Sequence, residues 1–205
     1  MRISYAIPVC YEHKELDRLL DLLVNNKRAE DEIVVQADFG NTTREVYEVV
    51  DKYKQAIKLV EFSLKGNFGA FKNNLKANCS GEWIFQIDAD EYLKEELIQN
   101  LHLILQQNPT VEVFLLARIN TVDGITQDHI NKWRWNVNDK GWINFPDFQP
   151  RILQNSPKIN WANKVHEVLV GHTKYSFFPL DEEYCLIHPK DIKRQEFQNK
   201  LYENI

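Results

Sequence analysis

The first 120 residues alternate short apolar, β-prone stretches with amphipathic helical ones, and few architectures accept that alternation. ISYAI at 3–7 leads into a segment, 12–24, whose Leu16, Leu19, Leu20 and Leu23 share one helical stripe. EIVVQA at 32–37 is followed by Asn41-Thr42-Thr43, good N-cap chemistry, and then by Val46, Val49, Val50 and Tyr53 at helical spacing. IKLVEF at 57–62 runs into a Gly66–Gly69 loop and a helix ending near Gly81. WIFQI at 83–87 precedes a helix over 95–107 carrying Leu97, Ile98, Leu101 and Leu105, closed by Asn108-Pro109, and VEVFLLARI at 111–119 resumes as a strand. Pro8 is expected to stop the first strand. Strands separated by helices of this length predict an α/β fold with a doubly wound, mostly parallel central sheet flanked by helices. Ligands of such sheets sit at the carboxyl ends of the strands, where Asp38 and Asp88 stand.

Beyond residue 120 the pattern changes to irregular, tryptophan-rich segments, WRWNVNDKGW at 133–142 and NFPDFQPRIL at 144–153, with no clean helical period until about Asp191. We read these as short strands and long loops over the active edge of the same sheet. At 205 residues the chain suits one domain, 1–205, with a nucleotide-binding half at 1–92 and an acceptor-binding half with a carboxyl-terminal helix at 93–205. A net charge of −5 with no basic half argues against nucleic acid as a partner. Three cysteines without a CxxC or Cys/His cluster suit a reducing compartment rather than a disulfide framework. With no long apolar run at the amino terminus or elsewhere, a cytoplasmic protein without transmembrane segments is expected, peripheral contact with a membrane-bound acceptor remaining open.

The stretch GEWIFQIDADEYL at 81–93 carries the chemistry. An apolar strand ending in Asp88-Ala89-Asp90 sets two carboxylates at a sheet's carboxyl edge, where they can share a hard cation with diphosphate oxygens. Cleaving a sugar from a nucleotide diphosphate builds negative charge on the leaving phosphate, which such a cation stabilises. Alone, the tripeptide equally describes an acidic turn capping the next helix. A dehalogenase-like phosphatase would carry the pair at its first strand, a calcium loop would need glycine where Leu93 stands, and a nucleotidyltransferase would open with a glycine-rich loop, whereas Pro8 to Lys14 has none.

Four segments in order resemble the family-2 glycosyltransferases of the GT-A (Rossmann-like) fold. They are AIPVCYEHKELDRLLDLL, DEIVVQADFGNTTREV with Asp38, Gly40 and Thr42 in the family's turn, Asn67-Phe68-Gly69-Ala70 followed by Asn73, and Gly81-Glu82-Trp83 leading to Asp-x-Asp. Gln149-Pro150-Arg151, Trp161 and Val165-His166-Glu167 are similar to the branch that includes lipopolysaccharide-core glucosyltransferases, where Glu follows Asp-x-Asp as Glu91 does. Cys185-Leu186-Ile187-His188 and a polar helix ending in Tyr202 match that branch less specifically. Thr43 replaces the Asp that usually ends the family's turn.

The resemblance implies a metal-dependent, inverting, hexosyltransferase-like enzyme moving a single sugar from a nucleotide-diphosphate sugar, UDP favoured, to a glycan, glycolipid or other hydroxyl. Mn²⁺ or Mg²⁺ is the implied cofactor. Because the chain ends soon after 190–201, single transfer is expected rather than polymerisation. Pro8, Asp38, Asn67, Lys72, Asn73, Asp88 and Ala89 are the expected nucleotide-sugar contacts, and Asp90 is the principal metal ligand, assisted by Asp88 and by His166 or His188. Inversion needs a group to take the acceptor proton, and Glu167 and His166 are the candidates. If His166 or His188 joins the metal, Glu167 is left as base; if His166 faces the acceptor, the assignment changes. Arg151 and the aromatic faces of Trp133, Trp142 and Trp161, grouped with Trp135, are candidate acceptor contacts. The competing reading is an inactive fold of this type that binds nucleotide-sugar or glycan without turnover.

Overall fold

The computed structural model describes residues 1–196. The elements, in chain order, are β1 (Ile3–Val9), α1 (His13–Asn26), β2 (Glu32–Asp38), α2 (Arg44–Lys52), β3 (Lys58–Phe62), α3 (Phe68–Ala77), β4 (Trp83–Gln86), α4 (Glu95–Gln107), β5 (Val113–Asp123), α5 (Gln127–Trp133), β6 (Ile143–Gln154), β7 (Asn160–Ala162), β8 (Val168–Val170), β9 (Tyr175–Phe177), a single 3₁₀ turn at Glu182–Tyr184, and β10 (Leu186–Asp191). The main sheet runs β10-β5-β6-β4-β1-β2-β3, with β9 on β5, and β7 and β8 form a separate antiparallel hairpin. Within the sheet only β6 runs antiparallel to its neighbours, β4 and β5. It is a single-domain α/β fold.

Residue alternation along the strands divides the core into two layers. Ile3, Tyr5 and Ile7 of β1, Ile33 and Val35 of β2, and Trp83 and Phe85 of β4 face the apolar stripes of α1, α2 and α4. Leu16, Leu19, Leu20 and Leu23 of α1 are all 0–2% exposed, and each such burial contributes about 2 kcal/mol. On the opposite face, Ala6, Val34 and Ile84 meet Leu75 of α3 together with Trp161 and Leu169 of the β7–β8 hairpin.

Three expectations need correction. β1 does not stop at Pro8 but continues to Val9, with Pro8 opposite Gln36 of β2. The Ala6 carbonyl accepts from Ile87 N–H on the β4 side, and Pro8, two residues on, turns its donor-less nitrogen to that side beyond the last β4 pair, Ala6–Gln86. Beyond residue 120 the short strands expected there, β7, β8 and β9 of three residues each, are joined by a long one, β6 of 12 residues, and β5 runs on to Asp123. A helix, α5, also lies where loops were expected; none of its residues is buried, so it has no apolar period to read, and a Thr126–His129 capping box starts it instead. Of the expected carboxyl-terminal helix, residues 192–196 are helical, and the rest of it to Tyr202 lies outside the described residues.

Candidate active site

A cleft of about 880 Å³ opens at the carboxyl ends of β1, β2 and β4 and runs across the faces of β6, β5 and β10. Its floor follows from strand periodicity. Arg118 and Asn120 on β5, Asp147, Gln149 and Arg151 on β6, and His188 and Lys190 on β10 are each two residues apart, and all line the cleft. Three adjacent strands thus aim a charged and polar set at one space.

The Asp88-Ala89-Asp90 turn is clamped from two sides. Glu91 N–H donates to the Asp88 carbonyl at 2.9 Å, and Glu91 Oε2 accepts from Asp88 N–H at 3.1 Å. Arg151 Nη2 donates to Asp88 Oδ2 and to Glu91 Oε1, both at 2.6 Å, and Arg118 adds an ion pair to Glu91 at 3.5 Å. Glu91 and Arg151 are buried. Burial would push the Asp88 carboxyl up, but the charges of Arg151, Lys72 and Arg118 outweigh it and hold that carboxyl well below the usual range. Asp88 therefore remains an anion.

Tyr92 and Ile187 exchange backbone hydrogen bonds of 2.7 and 3.0 Å, which docks the turn against β10 and brings His188 beside Asp90. The tautomer of His188 can be derived. The Asp147 carboxylate only accepts, so Asn120 turns its amide Nδ2 to Asp147 Oδ2, 2.9 Å away, and its carbonyl Oδ1 to His188 Nδ1, also 2.9 Å away. Nδ1 then carries the proton, and Nε2 faces Asp90 Oδ2 at 3.3 Å. An imidazole lone pair and a carboxylate oxygen converging in this way need a proton or a cation between them. They suit a divalent ion that accepts both nitrogen and oxygen ligands. No third His, Cys, Asp or Glu completes a metal cage among the described residues, so other ligands would be donor oxygens or water. Burial pushes the Asp90 carboxyl up; when a proton is what lies between the two groups, the hydrogen bond and charge of His188, with help from Arg194, outweigh it and leave the carboxyl below its ordinary value.

Lys72, on the buried face of α3, ion-pairs with Glu167 and holds its Nζ 4.4 Å over the Trp161 ring. Glu167 reaches the cleft from the loop after β7, as does His166, whose φ is +52°. That loop is held by the start of α3. Asn67 caps the helix by accepting from Ala70 N–H at 2.9 Å, Phe68 N–H donates to the Lys164 carbonyl at 2.8 Å, and a Cβ on Gly69 would lie 2.4 Å from the Asn163 carbonyl oxygen. Only glycine permits that approach.

Of the residues expected from sequence, the structure brings Pro8, Asp38, Lys72, Asp88, Ala89, Asp90, Arg151, His166, Glu167 and His188 to the cleft wall. Asn67, Asn73, Trp133, Trp142 and Trp161 are not on it. Asn73 brackets the Trp161 backbone with two 2.8 Å hydrogen bonds, and Trp161 is buried, its indole N–H on Gln86. Trp133 stacks on His129 with ring centroids 5.0 Å apart, and Trp142 packs on Phe145. Asp38 ties β2 to the loop after β3, accepting from Leu64 N–H at 2.8 Å and from Asn41 Nδ2 at 3.0 Å. Trp135, one of the four tryptophans grouped from sequence, is on the cleft wall, and Arg118, Asn120, Asp147 and Arg194 also line it and were missed. The signal that could have found Arg118, Asn120 and Asp147 is polar residues two apart in otherwise apolar runs; Arg194 has no such signal.

The chain folds like S. aureus TarS. Residues 1–349 of that protein align with a TM-score of 0.61 at 17% identity, covering 92% of this chain and 60% of that one. A longer TarS structure gives 0.62 at 16% identity, over 92% of this chain and 37% of that one. TarS 1–349 in complex with UDP-GlcNAc gives 0.56 at 16% identity, over 90% and 60%. The chain thus spans less than two thirds of the length of these structures. No curated protein sequence matches it. Residues 4–176 match glycosyl transferase family 2, and the chain belongs to that family.

Proposed function

We propose that the protein transfers a sugar, with inversion, from a nucleotide-diphosphate sugar to a hydroxyl of a glycan or glycolipid, using a divalent cation held by Asp90 and His188. The observation that carries this reading is the convergence of Asp90 Oδ2 and His188 Nε2, 3.3 Å apart, at the end of β4 inside the cleft. Charge balance supports it. The cleft wall carries six carboxylates (Glu12, Asp38, Asp88, Asp90, Asp147, Glu167) against five cations (Lys72, Arg118, Arg151, Lys190, Arg194), a formal excess of one negative charge with histidines neutral. A nucleotide-diphosphate sugar, carrying about two negative charges more, would be repelled by such a wall unless a divalent cation accompanied it. The bound cation would neutralise the diphosphate as the glycosidic bond breaks.

Asp88, fixed by Arg151, faces the ribose and diphosphate, and Asp38, Pro8 and Ala89 border the nucleoside. With His188 committed to Asp90, Glu167 is the base that takes the acceptor proton, oriented by Lys72. UDP as the nucleotide is supported by the TarS complexes with UDP and UDP-GlcNAc, fold relatives of this chain. Kinship with the lipopolysaccharide-core branch is supported by Glu91, Arg151 and Val165-His166-Glu167. Trp135, at the cleft wall and tilted against Trp133 with centroids 4.7 Å apart, offers a ring face to an acceptor sugar.

Thermal-shift screening against UDP, GDP, CMP, dTDP and their sugar conjugates, with and without Mn²⁺, on wild type and Asp90→Asn tests the reading. The expected result is a Mn²⁺-dependent rise with one nucleotide that is lost in the variant. An equal rise in the variant would remove Asp90 from the cation site.

A further inference from the structure

Arg194 follows β10 on the helical turn at 192–196 and reaches across the mouth of the cleft. Its Nη2 donates to Asp90 Oδ2 at 2.9 Å and lies 3.4 Å from Glu12 Oε1, while Nη1 lies 3.7 Å from Glu15 Oε1. Glu12 is itself fixed, its Oε2 accepting from the N–H groups of Cys10 and Tyr11 at 3.1 and 3.0 Å. One guanidinium therefore joins the loop after β1, the Asp-x-Asp turn and the segment after β10. The Asp90 oxygen it occupies is the one that His188 Nε2 faces.

We propose that Arg194 is a built-in counter-cation, which holds the divalent-cation position on Asp90 in the donor-free protein and must leave it before that cation binds. The inference rests on the reading of Asp90 as a cation ligand. A divalent ion bonded to a carboxylate sits about 2.0–2.2 Å from the oxygen. With a guanidinium nitrogen 2.9 Å from that same oxygen, two positive centres would be crowded together in a partly buried site, where their repulsion is weakly screened. The donor diphosphate resolves the conflict, because its oxygens offer the planar fork of an arginine a bidentate acceptor beside the same site. Cation and donor consequently bind cooperatively, each favouring the other by the same factor, and the cation alone binds poorly.

Titration calorimetry with MnCl₂, with and without saturating UDP, on wild type, Arg194→Gln, Arg194→Lys and Asp90→Asn tests this. Without UDP, Arg194→Gln is expected to bind Mn²⁺ on the order of tenfold more tightly than wild type, and the enhancement by UDP to shrink by a similar factor. Arg194→Lys, which keeps the charge without the fork, is expected to fall between the two, and gives the same comparison if the glutamine variant does not fold. Unchanged Mn²⁺ affinity in the Arg194 variants, with UDP-dependent binding still abolished by Asp90→Asn, would overturn the counter-cation and leave the cation site standing. No Asp90-dependent Mn²⁺ binding in any variant would overturn both.

Discussion

Replacing Arg151 by methionine removes the guanidinium beneath the Asp-x-Asp turn and leaves its two acids in place. Asp88, with its side chain 33% exposed, can take water instead, so most of the cost falls on Glu91, whose side chain is fully buried. Glu91 keeps Asp88 N–H at 3.1 Å and Arg118 at 3.5 Å, so it loses its shortest bond but not every partner. Breaking a buried ion pair by deleting one member costs about 3–5 kcal/mol, and the surviving partners place this variant near the lower end, about 3 kcal/mol. For a chain of this size that corresponds to a melting temperature lower by about 6–12 °C. Urea unfolding followed by tryptophan fluorescence measures it, with an unchanged slope as the sign that two-state behaviour persists. Neutralising the acid as well should recover part of the loss, so Arg151→Met/Glu91→Gln should be less destabilised than the sum of the single variants by about 1–2 kcal/mol. A loss below about 1 kcal/mol for Arg151→Met, or strict additivity, would refute the claim that this pair supports the turn.

Gly69→Ala should cost about 1–3 kcal/mol, because its Cβ would meet the Asn163 carbonyl oxygen at 2.4 Å, and should lower turnover of any donor sugar by displacing the loop that carries Glu167; a melt and a donor-hydrolysis assay check both effects. Burial pushes the Cys79 thiol up to about 12 and those of Cys10 and Cys185 up to about 11, so iodoacetamide at pH 8 should label the folded protein slowly, Cys10 first, and all three cysteines rapidly once urea unfolds it, as counted by mass spectrometry. Acid should destabilise the fold. Burial pushes the Asp88 and Asp147 carboxyls up, but Arg151 and Arg118 outweigh it and hold both below their unfolded values. Their contribution is complete above about pH 4 and is lost as pH falls from there through the folded values, so the urea midpoint should decline between about pH 4 and 2.5 and be flat in this respect above pH 5.

The first 110 residues were legible because their periodicities are those of simple burial. The leucines of α1 and the four apolar residues of α4 marked from spacing are the ones the structure buries, and the ends of β1 to β4 fell within about two residues of their observed bounds. Beyond residue 120 the same rules mislead, because β6 and the end of β5 spend one face on the cleft. Asp147, Gln149 and Arg151 interrupt an apolar count and read as loop, although a period of two in polar residues is as much a strand signature as a period of two in apolar ones. The Asn67–Asn73 segment was recognisable as a motif, but most of its work was not: besides the local cap of α3, it admits the Asn163 carbonyl and brackets Trp161, contacts to residues some 90 positions away. Arg194 belongs to no pattern at all, and only the closing of β10 against β5 places it at Asp90.

The partners of the cleft's acids show which of its charges are free to move. Asp88 and Glu91 are neutralised by Arg151 of β6, Asp147 by Arg118 of β5, and Glu167 by Lys72 of α3, so each of these cations belongs to an element packed into the sheet or against it. Such dipoles and charges are set before a ligand arrives and cost no reorganisation during reaction. Asp90 differs, since Arg194, the arginine that donates to it, comes from the turn after the last strand, with Lys190 of β10 adding its field. Exchange of charge at Asp90 therefore needs no repacking of the core, whereas exchange at any of the others would break a contact that holds the sheet's carboxyl edge together. On the proposed reading, a charged diphosphate admitted and released at each turnover would exchange against the acid whose arginine is not packed into the sheet, so the exchange would leave the site's other ion pairs standing.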